Sequence, residues 1–205
     1  MRRAVIGAAL SALALPMLAA CGAHAPSLVT SGKGRIDVSS PALAAYKAHT
    51  HIPNCPKIAS DPAPGGMPSV TVPCLGGGRS VDVAGLRGPM IVNFWASWCG
   101  DCVAEMPALA AFAKGQSTVK VIGIDVLDTG PGAALQLADR SHVGYPLLAD
   151  PDGTLDHASP LPHFPGLPFT AFLDATGRLV HYEGGPMKTE ADVAAAARKY
   201  LGTTG

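Results

Sequence analysis

Two kinds of hydrophobic patterning divide the chain. Ser69 to Val72 and Arg79 to Val83 alternate apolar with polar residues on either side of Gly76-Gly77-Gly78, which predicts a β-hairpin closed by a glycine turn. Met90-Ile91-Val92-Asn93-Phe94-Trp95 is almost unbroken apolar sequence, the pattern of a strand buried on both faces and hence central in its sheet. Val119 to Val126 reads the same way. Between these runs, Cys99 to Lys114 places Val103, Met106, Leu109, Ala110 and Phe112 at helical spacing, with Pro107 predicting a kink and Gly115 a stop. Gly132 to His142 predicts a second helix. Phe169 to Leu173 and Leu179 to Tyr182 predict a second hairpin, turning at Ala175-Thr176-Gly177. Thr189, with Asp192 three residues on, forms a capping-box signal for a last helix to about Leu201. Ser40-Pro41 opens a short helix that ends before Pro53. The order hairpin, β, α, β, α, β, β, α predicts an α/β fold with a mixed central sheet flanked by helices, because strand-helix alternation implies parallel crossovers and the late hairpin an antiparallel part.

The first twenty residues belong to another kind of segment. Arg2 and Arg3 precede an acid-free apolar run from Ala4 to Ala20, the layout of a secretory signal peptide spanning residues 1–20. That run, broken by Gly7 and Pro16, is short of the roughly 20 apolar residues a bilayer span needs. Leu18-Ala19-Ala20-Cys21 resembles a bacterial lipobox, in which Cys21 is acylated and becomes the first mature residue. Residues 21–45, poor in large apolar side chains around Ser31-Gly32-Lys33-Gly34, are expected to form a flexible tether, and 46–205 the folded domain. This layout implies an exported protein held by lipid on the extracytoplasmic side of the cell membrane.

Composition narrows the classes further. The chain of 205 residues is 48% hydrophobic and 15% charged, which is globular rather than disordered. Fifteen Lys+Arg balance fifteen Asp+Glu, so there is no basic excess to hold nucleic acid. Loss of residues 1–20 leaves thirteen bases against fifteen acids, so a polybasic membrane patch is also missing and the lipid must do the anchoring. Lipidating Cys21 turns an odd set of five cysteines into two pairs, and an oxidising destination permits structural disulfides.

One pair carries chemistry. Trp98-Cys99-Gly100-Asp101-Cys102 falls where a buried strand ends and a helix begins. Two cysteines three apart can close a small disulfide there, and the first has the positive end of the helix dipole beside its sulfur. Cys99 is therefore the expected thiolate, attacking a partner's disulfide, and Cys102, one turn in, resolves the mixed disulfide. A zinc site would need two further ligands at comparable spacing, and no metal site is expected; His49 and His51, alternating in a loop, read as solvated.

With Val92-Asn93-Phe94-Trp95-Ala96-Ser97 leading into this motif, Glu105-Met106-Pro107 following it, and Gly166-Leu167-Pro168 placed before a Phe-Leu-Asp-x-x-Gly turn, the sequence closely resembles the TlpA/ResA/DsbE branch of thioredoxin-like proteins over roughly residues 55–202. The resemblance implies a thioredoxin-like fold preceded by an N-terminal hairpin and carrying an insertion near 127–150. It makes Cys99 the nucleophile, Cys102 the resolving thiol, Pro168 the cis-proline of the active site and Glu105 its cavity glutamate. Glu105 lies three residues past Cys102 on the same helix face, within reach of proton exchange with the buried thiol. Two positions depart from thioredoxin-like patterns: Asn93 stands where thioredoxin has a buried aspartate, and the Gly100-Asp101 dipeptide puts a carboxylate beside the thiolate, which disfavours the reduced form.

Cys55 and Cys74 flank a proline-rich stretch without Cys-x-x-Cys spacing and read as a structural disulfide, with a second redox couple as the alternative. The expected function is extracytoplasmic thiol-disulfide exchange with cysteine-containing exported proteins. No dissociable cofactor is required, since the Cys99-Cys102 pair carries the electrons, and a membrane partner is expected to recycle it. Reduction of apocytochrome thiols in cytochrome c maturation is one alternative, and a non-catalytic binding lipoprotein braced by disulfides is another. Peroxide reduction is disfavoured because Ala96 stands where the related peroxidatic sites carry Thr or Ser.

Overall fold

The computed structural model describes residues 35–58, 61–115 and 118–202. The expected signal peptide, Cys21 and most of the expected tether lie outside the described residues. The elements run α1 (Pro41–Lys47), β1 (Thr71–Val72), β2 (Val81–Asp82), β3 (Met90–Trp95), α2 (Gly100–Gly115), β4 (Lys120–Val126), α3 (Pro131–Arg140), β5 (Leu147–Asp150), β6 (Phe169–Leu173), β7 (Leu179–Gly184) and α4 (Glu190–Leu201). Five strands form one sheet in the order β5-β4-β3-β6-β7, and β1 and β2 form a separate antiparallel pair. β3 is parallel to β4, and β4 to β5, whereas β6 and β7 are antiparallel to their neighbours, so the sheet is mixed as the element order predicts. Every residue of β3 is buried, in keeping with its central place and unbroken apolar sequence.

Both parallel crossovers step in the same direction across the sheet, and right-handed connections therefore put α2 and α3 on the same face. Ile91, Trp95, Val121, Leu147 and Phe172 point to that face and pack with apolar residues of all four helices. Val92, Phe94, Ile124 and Phe169 point to the other face, against residues of the β1-β2 hairpin and the loop around Phe164. Alternation along each strand thus feeds two cores. Gly123 on β4 has a steric reason to be glycine: a Cβ there would lie 2.6 Å from Leu147 Cδ2 and 3.0 Å from Trp95 Nε1.

Local signals locate most element ends. The Ser40 hydroxyl accepts from Leu43 N–H at the start of α1, and Thr189 and Asp192 close a reciprocal capping box on α4. Gly76, Gly77 and Gly78 all have positive φ, which the turn beyond β1 requires. α2 runs unbroken through Pro107, which removes one helical hydrogen bond without ending the helix.

Two expectations are corrected. Residues 36–45 belong to the domain rather than to a tether: Val38 and Leu43 are buried, the Val38 carbonyl accepts from Gly76 N–H, and Tyr46 donates to Asp139 of α3 at 3.0 Å. Few large residues sufficed, since two apolar contacts and one cap fix so short a helix. The segment near 127–150 is part of the sheet as well as an insertion, because it supplies α3 and the edge strand β5. Leu147-Leu148-Ala149-Asp150 is short, lacks β-branched residues and is buried throughout, so its pattern alone does not mark a strand.

Candidate active site

β3 delivers the chain to a tight loop, Ala96-Ser97-Trp98-Cys99, from which α2 starts at Gly100. Cys99 and Cys102 are joined by a disulfide with an S–S distance of 2.09 Å, as their spacing predicts. Cys102 N–H points at Cys99 Sγ, 3.2 Å away, so a backbone donor of the first helical turn already faces the sulfur that would carry charge after reduction. Cys102 is the more deeply buried of the two, 1% exposed against 7%. Gly100 has no neighbour within 4 Å of where a side chain would start, and Asp101 is exposed, so the dipeptide between the cysteines faces outward.

Three further contacts hold the loop. Asp128 Oδ2 accepts from Ser97 N–H at 2.7 Å, and its Oδ1 accepts from Gly130 N–H at 2.8 Å. Trp98 is 62% exposed, yet its indole Nε1 donates to Leu127 O at 3.1 Å, and Leu127 itself has a positive φ of 54°. The segment after β4 therefore cradles the segment after β3. Asp125, Cα partner of Trp95 across the β3-β4 ladder, is buried. Burial and the neighbouring Asp128 carboxylate push its carboxyl well above the ordinary carboxylate range. Sequence reading passed over both aspartates; an Asp-x-x-Asp that begins in the last residues of a buried strand, level with the end of β3, is the signal that marks them.

Glu105 lies beneath the disulfide on the inner side of α2 and is 1% exposed. Asn93 Nδ2 donates to Glu105 Oε2 at 3.0 Å and is also 3.3 Å from Thr170 Oγ1, while Met187 N–H donates to Glu105 Oε1 at 3.0 Å. The carboxylate thus ties α2 to β3 and to the loop before α4, and Asn93 carries the link on to Thr170 of β6. Burial raises its pKa to about 7, against the opposing pull of the Met187 and Asn93 hydrogen bonds. The same Asn93 that departs from thioredoxin's aspartate therefore holds the acid that the helix supplies in its place. Tyr145 stands close by, its hydroxyl held above the usual range by burial and then by the Glu105 charge.

Leu167-Pro168 is a cis peptide, the isomer that the resemblance implies. Phe169 is the Cα partner of Phe94, which puts Pro168 level with Trp95 at the end of β3 that leads to Cys99. The predicted residues Trp98, Cys99, Gly100, Asp101, Cys102, Glu105 and Pro168 thus converge at one end of the sheet. Cys55 and Cys74 do not. Their disulfide, with a Cα–Cα distance of 5.8 Å, ties residues before β1 to the chain beside β5, and both cysteines are buried. The Lys47 ammonium reaches Leu75 O at 2.9 Å and Cys74 Sγ at 3.2 Å, and burial lowers its pKa. His49 and His51 lie just after α1, outside this end of the sheet.

Comparison with known proteins agrees with this geometry. Over 105 residues the chain is 34% identical to a thiol:disulfide interchange protein DsbE homolog of Paracoccus denitrificans, covering 50% of this chain and 54% of that protein. It is 33% identical over 124 residues to the thiol:disulfide interchange protein HelX of Rhodobacter capsulatus, covering 58% and 66% respectively. The chain thus spans about half to two thirds of these relatives' length. Among solved structures, a secreted Mycobacterium tuberculosis disulfide oxidoreductase homologous to Escherichia coli DsbE superposes with a TM-score of 0.52 at 26% identity, covering 62% of this chain and 96% of that one. The architecture is the thioredoxin-like fold, and since the Redoxin family matches residues 60–199, the chain belongs to that family and resembles its DsbE-like thiol-disulfide exchange branch.

Proposed function

We propose that the protein is an extracytoplasmic thiol-disulfide oxidoreductase that exchanges disulfides with cysteine-containing exported proteins, anchored by lipid on Cys21. The observation that carries this reading is the Cys99-Cys102 disulfide at the start of α2 with buried Glu105 one turn further along. In the reducing direction, the Cys99 thiolate attacks one sulfur of a partner disulfide, forming a mixed disulfide and expelling the other partner sulfur as thiolate. Cys102 then loses its proton to the Glu105 carboxylate and attacks Cys99 Sγ, which expels the second partner sulfur. Two electrons have passed to the partner, and the Cys99-Cys102 disulfide remains. The oxidising direction is the reverse sequence, with Glu105 returning the proton to Cys102. A carboxyl with a pKa of about 7 accepts and returns protons at neutral pH. No dissociable cofactor enters this scheme, and a membrane redox partner would recycle the pair.

The test is equilibration of the protein in glutathione redox buffers, quenching by alkylation and mass spectrometry of the Cys99-Cys102 pair, together with turnover of a protein disulfide by wild type and Cys99→Ala. The expected result is a reversible two-electron couple and loss of turnover in the variant. A pair that stays oxidised across all buffers, as a static brace would, contradicts the proposal.

A further inference from the structure

The loop between β5 and β6 carries a second cluster of chemistry-bearing side chains, separate from the cysteine pair. After β5 a single 3-10 turn, Thr154–His157, brings Asp156 and His157 together, and His163 returns to the same place six residues later. Asp156 is buried, with 7% of its side chain exposed, and its Oδ1 is fixed by accepting from Phe164 N–H. Its other oxygen, Oδ2, faces outward: His163 Nδ1 lies 2.9 Å from it and His157 Nε2 3.8 Å. Both imidazoles are exposed, by 74% and 72%, and their rings stack at 5.4 Å with planes 6° apart. One donor atom from each of the three residues falls within 4.8 Å of the others.

We propose that Asp156, His157 and His163 form a binding site for a divalent cation of the zinc class. One oxygen and two imidazole nitrogens are the donor types such an ion prefers, and a tetrahedral site with bonds of about 2.0–2.1 Å holds its ligand atoms about 3.3 Å apart. The observed separations of 2.9 and 3.8 Å bracket that value, so rotations of two exposed side chains are enough to close the site. The carboxylate needs no reorganisation, because the Phe164 N–H already orients it as an outer-shell partner does. Three protein ligands leave a fourth position open to water or to a donor from a partner. The ion would clamp His157 to His163 across the loop that ends in Phe164, whose ring packs against Phe94 and Phe169 beside Pro168. The cluster escapes sequence reading because its donors do not follow a paired zinc spacing: a turn brings two neighbouring residues to meet a histidine six positions on.

The experiment is calorimetric titration of zinc chloride into the protein with both disulfides formed and Cys21 lipidated, or alkylated where the lipid is absent, so that no thiol competes. One equivalent with micromolar affinity is expected, with at least a roughly tenfold weaker binding in His157→Ala/His163→Ala. Since both histidines are exposed, that double variant keeps the fold, and its metal-free exchange activity should equal that of wild type. A His49→Ala/His51→Ala variant should bind as wild type does. Absence of stoichiometric uptake by wild type, uptake retained by the His157/His163 variant, or its loss in the His49/His51 variant would each overturn the assignment.

Discussion

Replacing Glu105 with Gln isolates the buried acid that joins α2 to Asn93 and to the loop before α4. In the folded protein its pKa is about 7, because burial penalises the charged form, against 4.5 for the group in water. Each pH unit between these values corresponds to about 1.4 kcal/mol, so the coupling is worth roughly 3 kcal/mol. Its sign follows from proton counting. Between pH 4.5 and 7 the folded state holds the Glu105 proton and the unfolded state has lost it, so stability from this group is full below pH 4.5 and falls as pH rises through 7. Gln cannot ionise. Its carbonyl can accept from Met187 N–H, and its amide can face Asn93 if that side chain turns its own oxygen inward and Thr170 donates in return. The assay is urea unfolding of the oxidised protein at intervals from pH 4.5 to 8 for wild type and Glu105→Gln. The difference in unfolding free energy should shift by about 3 kcal/mol across the range in favour of the variant at high pH. Other groups, including buried Asp125, are common to both proteins and cancel. Parallel curves would refute the account of Glu105 as an acid held protonated by burial.

Two further outcomes follow from the site and the second disulfide, and one from the sequence around Cys21. Asp101→Asn removes an exposed carboxylate from the first turn of α2, so the reduced Cys99 thiol should titrate lower by roughly 0.2 to 0.7 pH units and the pair should become slightly more oxidising; an unchanged or higher Cys99 pKa in a thiolate absorbance titration would defeat this. Cys55→Ala/Cys74→Ala opens a loop of sequence separation 19 and should cost roughly 3 kcal/mol in urea unfolding while leaving Cys99-Cys102 exchange intact; loss of exchange in a folded variant would make that disulfide a redox relay. Mass spectrometry of mature protein from membranes should find Cys21 acylated, and an unmodified Cys21 in membrane-free mature protein would remove the lipid anchor.

The order of β3, α2, β4, α3, β6, β7 and α4 was legible because each is marked locally, by an unbroken apolar run, a helical stripe, a glycine turn or a capping box. Cys99 and Cys102 were legible for a related reason, since a strand-to-helix junction and three-residue spacing are both sequence-local. β5 escaped because a four-residue strand buried on both faces has no alternation to display. Glu105 was read as the cavity acid, but the partners that hold it were hidden: Asn93, Glu105 and Met187 meet only where α2 packs against β3 and the loop before α4, and the last two are 82 residues apart. Asp128 was hidden in the same way, since its contact with Ser97 depends on β4 lying parallel beside β3. Sequence marked the cysteine pair and Glu105, whereas the groups packed around them are brought together by the sheet.

In the proposed exchange Cys99 is the sulfur that attacks and Cys102 the sulfur that resolves. Cys102→Ala separates the two steps, because the mixed disulfide forms but has no internal thiol to break it. Incubating this variant with a disulfide-containing protein substrate, quenching with acid and separating by non-reducing electrophoresis should give a covalent adduct linked through Cys99 and cleaved by dithiothreitol. Absence of any adduct from folded Cys102→Ala, or an adduct that persists when Cys99 is also replaced, would contradict the account.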